Sequence, residues 1–239
     1  YHQVFLGTDA RKRIALSLNP NFNDYDYGPD ALNLNATLTW KPTTSVQLSL
    51  GPSFNRSGSV SQFVTSLEDP TVPQFYGRRY IFAELHQKQL AMSTRANVTF
   101  TPRLTFELFA QPLIAAGDYT TFNEYVAPRK RTLHPFTGNE VSSAIVNGRR
   151  QYTIDPDGPS GPAASFKVGD PDFNFRALRG NAVVRWEYRP GSTLFFVWQQ
   201  NRSDTDPIGN FDFARDRSAL FDSHPDNIFL VKGTYWIAF

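Results

Sequence analysis

Cysteine is absent from this 239-residue chain, which excludes a disulfide framework and a Cys-ligated zinc site and suits an oxidising compartment such as the periplasm. Long apolar runs are lacking too. No stretch approaches the roughly 18–20 residues of a membrane helix, so a helical membrane protein is excluded. A mean hydropathy of −0.40 still leaves room for strands that are apolar only at alternate positions. Charge of one sign is missing: 24 Lys and Arg stand against 22 Asp and Glu, and the cations are scattered, so nothing marks a nucleic-acid partner. Histidine is scarce, at His2, His86, His134 and His224. Neither a G-x-S-x-G elbow nor an H-E-x-x-H zinc helix occurs. His224 between Asp222 and Asp226 is the sole acid–base grouping, and a loop His beside Asp is ordinarily just solvated. Asp155, Asp157 and Gly158, and separately Asp24, Asp26 and Asp30, could offer oxygen ligands to Ca²⁺. Neither set has EF-hand spacing, and Asp/Pro/Gly turns account for both. The expectation is a non-enzyme with no catalytic residue, metal or cofactor. The start at Tyr1 carries no leader pattern, so either a leader was removed or the chain is part of a longer one.

Aromatic residues, by contrast, make up 15% of the chain, with 21 Phe and 10 Tyr, a composition that favours strands. The organising feature is a repeated hairpin: LNLNATLTWKPTTSVQLSL (32–50), MSTRANVTFTPRLTFELFA (92–110) and GNAVVRWEYRPGSTLFFVW (180–198). Pro42, Pro102 and Pro190 mark the turns, where a fixed φ and a missing N–H are tolerated. A weaker pair, HQVFL and RIALSL, is joined around Gly7 to Lys12. Alternation in these strands is close to strict, with Leu34, Leu38, Trp40, Val98 and Trp186 on one side. The other side takes Asn33, Asn35, Gln47, Arg95, Asn97, Glu107, Arg179, Asn181, Arg185, Glu187 and Lys232. All-β architecture with one dry and one wet face follows.

Three patterns point to the dry face lying outside. The Pro turns are short, whereas the connections near 55–78, 115–174 and 202–227 are long, as in outer-membrane barrels with short periplasmic turns. Trp40, Phe100, Tyr188 and Trp186 sit near the short turns, with Tyr25, Tyr27, Phe54, Tyr119 and Phe122 near the opposite ends, as two aromatic girdles would. The last segment, FLVKGTYWIAF, alternates through Tyr235 and Ile237 to a terminal Phe239, like the signal read by the barrel-assembly machinery. The expected fold is an antiparallel up-and-down transmembrane β-barrel over residues 1–239, as a single domain in the bacterial outer membrane. The strand directions give an odd total, whereas bacterial barrels are even, so the chain is expected to be the C-terminal part of a larger barrel.

DPDFNFRALRGNAVVRWEYRPGSTLFFVWQQNRSD (170–204) and RANVTFTPRLTFELFAQPLIAAGDY (95–119) resemble the C-terminal outer-membrane barrel of a bacterial family of unknown function. Its members carry an N-terminal family-9-type carbohydrate-binding module. The resemblance implies a leader, a periplasmic sandwich module and further strands outside this chain, and it brings no catalytic residues with it.

These readings leave three functions open. One is a channel or transport pore, porin-like and suited to saccharides, in which the polar set lines the lumen and tunes permeation. The plainer account of that set is an ion-paired wet interior, with Arg185 and Glu187 near enough to pair. The second is a plugged barrel that anchors a periplasmic carbohydrate-binding module or a surface complex. The third is a soluble all-β binding protein. Expected partners for the barrel readings are outer-membrane lipids and the assembly machinery. Within 115–174, Asn147-Gly148 predicts a type I′ hairpin, which would serve as a constriction, a docking surface or a plain surface hairpin.

Overall fold

A computed structural model describes residues 1–25 and 28–237. The chain opens with β1 (His2–Gln3), β2 (Leu6–Gly7), β3 (Ile14–Asn23), β4 (Ala31–Thr43) and β5 (Val46–Glu68). A 3-10 turn (Pro73–Phe75) returns it into β6 (Arg78–Thr101) and β7 (Leu104–Tyr125). Then come β8 (Leu133–Pro135), a second 3-10 turn (Gly138–Glu140), β9 (Val141–Val146), β10 (Arg149–Ile154) and β11 (Phe166–Gly169). β12 (Phe173–Arg189), β13 (Ser192–Asp206), helix α1 (Phe213–Asp222) and β14 (Asp226–Thr234) complete the described fold.

The strands form two antiparallel sheets. One has 11 strands in the order β1-β3-β4-β5-β6-β7-β12-β13-β14, with β2 added on β3 and β8 on β7; the other is β11-β10-β9. The three expected hairpins are β4/β5, β6/β7 and β12/β13. Their turns differ in detail. Pro102 and Pro190 lie in two-residue turns, but Pro42 lies inside β4, where the register slips between Trp40 and Thr43. A bulge accepts a residue without an N–H, which is why the proline fits there.

Pairing lines up like residues. Ile14, Trp40, Leu48, Ala96, Leu108, Ala182, Trp198 and Phe229 form one row across the sheet. The neighbouring row on the opposite face runs Ser49, Arg95, Phe109, Asn181, Gln199, Ile228. The apolar side is largely uncovered: Leu34, Leu38, Trp40, Phe100, Phe196 and Trp198 are all exposed. The dense core lies elsewhere, where the small sheet packs on the distal halves of β6 and β7. There Ile81, Ala83, Phe122, Phe136, Ile154 and Val168 are buried against Val64, Leu67, Tyr152 and Phe166. The stretches expected as loops near 55–78 and 115–174 are therefore largely strand, because β5, β6 and β7 run on past the first hairpin to build this second layer.

The large sheet is open. β14 pairs only with β13, and β1 and β2 pair only with β3, so no strand joins the two edges among the described residues. The expected closed barrel is not formed. A bilayer admits helices and closed barrels, because each unpaired edge group costs several kcal/mol in hydrocarbon. The described residues form an open sheet and so correct the outer-membrane placement, the lipid contacts and the assembly-machinery partner, none of which they support. The porin-like pore and the barrel that anchors an outer-membrane complex fall with them. The even-strand rule has no bearing on an open sheet. Among the described residues no helix is long and apolar enough to cross a membrane.

Candidate functional site

Without a lumen, the polar set becomes one face of a sheet, and its members separate into groups. At the β3–β5 end, amides form a cross-strand ladder. Asn33 donates from Nδ2 to Asn21 Oδ1 at 2.9 Å, and Asn55 donates from Nδ2 to Asn33 Oδ1. Asn35 stands in the next row between Asn19 and Ser53. Gln47 pairs in register with Asn97 and borders a depression edged by Arg11, Arg13 and Lys41. Toward the short turns, Arg185 lies in the row of Thr105, Phe195 and Lys232. Arg185 and Glu187 do not pair as an ion pair. Glu187 instead accepts the Gly191 N–H at 3.1 Å, which closes the β12/β13 turn.

The sheet brings Arg95, Asn97, Glu107, Arg179 and Asn181 together in an open groove of about 780 Å³ over β6, β7, β12, β13 and β14. The register explains why: Arg95 faces Phe109, Asn97 faces Glu107, and Asn181 faces Phe109 on one side and Gln199 on the other. The Arg95 guanidinium lies 5.2 Å over the Phe109 ring, a cation–π contact that holds both planes at the groove floor. Phe109, Gln199 and Asn201 also line the groove and were not singled out by sequence, and Asp226, expected only as a flank of His224, lines it too. Alternation in β13 was signal enough for Gln199 and Asn201. Phe109 broke the polar pattern and hid in it. Among the described lining residues there is no His, Ser, Thr, Cys or Lys.

The other candidates resolve as structure. Trp40, Phe100, Trp186 and Tyr188 are exposed on the apolar face near the short turns, with Trp186 and Tyr188 edge to face at 6.1 Å. Their placement at a bilayer interface falls with the barrel. Tyr235 accepts a hydrogen bond from Arg189 Nη1 at 2.5 Å, and Ile237 is exposed. Phe239, Tyr27 and Asp26 lie outside the described residues. Asp157 accepts the Ala163 N–H at 3.0 Å, and no group of three or more metal-ligating side chains occurs among the described residues. His224 is exposed in the link between α1 and β14.

Away from the groove, charge is buried around Arg79, at Arg176 and at Asp216, and Asp172 is half-buried. Arg79 donates from Nε to Asp69 at 2.7 Å and from Nη1 to both Glu124 oxygens at 2.6 and 2.5 Å. Burial alone would push the Asp69 carboxyl up, but hydrogen bonds from Thr71 and Arg79 outweigh it and hold it below the usual range. Arg176, fully buried on β12, is held by Asp204 and Asp206. Asp172 is pushed up, by burial first and by Asp170 and Asp118 nearby, although it accepts the Tyr119 N–H at 2.7 Å.

Residues 1–239 match the family model described as Domain of unknown function (DUF5916), and the chain belongs to that family. No curated protein and no solved structure matches it. The match supports an all-β domain of this family, and the closed barrel that the resemblance implied is not formed among the described residues.

Proposed function

We propose that this member of the family is a non-catalytic all-β binding domain whose polar groove holds a neutral, polyhydroxylated ligand of the saccharide class. The observation that carries the reading is the groove lining. Amides from Asn97, Asn181, Gln199 and Asn201 both donate and accept, Arg95 and Arg179 donate in fixed forks, and Glu107 accepts. Hydroxyl groups need both roles at close spacing, and a cross-strand lattice with about 4.8 Å between strands repeats them along one direction. Phe109 under Arg95 adds a flat apolar patch for a sugar ring face. Glu107 and Asp226 are the carboxylates among the described lining residues, and both accept from ligand hydroxyls.

Calorimetric titration with a panel of oligosaccharides tests the reading. At least one is expected to bind, and Arg95→Ala or Asn181→Ala is expected to weaken it about tenfold, the scale of one lost hydrogen bond. An Arg11→Ala control outside the groove is expected to bind unchanged. Heat signals that are absent across the panel, or equal in all variants, would count against it.

A further inference from the structure

The two edges of the large sheet are built differently. At one, β1 and β2 are two-residue pieces laid over β3, a short and broken edge of the kind that resists pairing. At the other, β14 is nine residues long, continuous and exposed at every position. Four successive large apolar side chains stand free there: Ile228 is 59% exposed, Phe229 76%, Leu230 52% and Val231 65%. A long apolar edge is a template for another strand, because its outward N–H and C=O groups lack partners. Asp226 near the strand's start and Lys232 near its end are its only charges.

We propose that β14 pairs antiparallel with β14 of a second copy of this chain, about a two-fold axis through the Phe229 pair. In this register Asp226 faces the partner's Lys232, and Lys232 faces the partner's Asp226. Ile228 meets the partner's Leu230, and the two Phe229 rings meet each other. A shift of the centre to Leu230 would set Asp226 against the partner's Thr234 and Ile228 against the partner's Lys232, and would lose both ion pairs. Charge complementarity along the edge therefore selects one register. Trp198 stacks on Phe229 at 6.5 Å with planes 14° apart, so the ring is already held upright beside the joint. The axis is perpendicular to the sheet, which puts both polar faces on the same side. Asp226 and Ile228 line the groove, so pairing joins two grooves edge to edge. The pairing itself does not depend on what the groove binds.

The chain has no cysteine, so Phe229→Cys introduces its only thiol. Directly opposed residues in an antiparallel pair have Cα atoms about 4.5–5.5 Å apart, within disulfide reach. Oxidised Phe229→Cys is expected to run as a covalent dimer. Val231→Cys, displaced from its symmetry mate by four residues or about 13 Å, is expected not to. In sedimentation equilibrium, Asp226→Lys or Lys232→Asp alone is expected to weaken self-association roughly tenfold, and the double reversal to restore it. The pairing is overturned if the unaltered chain sediments as a monomer throughout, or if Val231→Cys crosslinks as well as Phe229→Cys. Association unmoved by either reversal, or a double variant no tighter than the singles, overturns it too.

Discussion

At the scale of single residues, the strongest commitments lie where charge is buried. Arg79 is enclosed beside Asp69 and Glu124, so neither carboxylate can trade its partner for water. Arg79→Met is expected to cost about 3–5 kcal/mol in urea unfolding, since it strands two acids in a poorly solvated site. The exposed pair Arg11–Asp9 is the contrast, and its loss is expected to leave the unfolding midpoint unchanged. Asp69 carries a pH consequence. Its folded pKa is lower than its unfolded value near 3.9, so the folded state binds its proton less readily. The stability it contributes is present above about pH 4 and is lost as pH falls through the folded value. Unfolding midpoints measured from pH 6 downward are expected to fall more steeply in the unaltered chain than in Arg79→Met. Composition gave no sign of this clamp, because its members lie far apart in sequence and meet only through the β5–β6–β7 pairing.

At the scale of elements, legibility followed period. Strict alternation beside a Pro turn located β4/β5, β6/β7 and β12/β13. Asn147-Gly148 gave the type I′ hairpin between β9 and β10, with φ of 52° and 75° at the two turn residues. Residues 78–86 keep their alternation, with Arg79, Ile81, Ala83 and Leu85 buried in turn. Pattern faded in β7, where Ile114, Ala115, Ala116 and Gly117, and then Phe122 and Asn123, are buried in succession, so that stretch reads as a loop. Helix α1 also escaped notice. Its signal was local: Asp212 caps it by accepting the Arg215 N–H at 2.9 Å. The junction of the two sheets is expected to be the least tolerant element. Phe122 packs on Tyr152 with centroids 4.7 Å apart, and Phe122→Ala is expected to cost about 3–5 kcal/mol in chemical denaturation.

For the molecule as a whole, closure decides the reading, and closure is not written in any one strand. Alternation tells which side chains share a face. It does not tell whether the first strand meets the last, which depends on strand number, tilt and stagger together. The open sheet turns the expected lumen into a one-sided polar surface, and the role proposed for that surface is to hold ligand. Single-cysteine protection tests that most directly, because the chain supplies no competing thiol. Cysteines placed one at a time at Asn97, Asn181 and Gln199 in the groove, and at Leu38 on the apolar face, would be alkylated with and without the tightest-binding oligosaccharide. The account predicts that ligand slows labelling at all three groove positions, and not at Leu38. Equal rates with and without ligand at Asn97, Asn181 and Gln199 would contradict it.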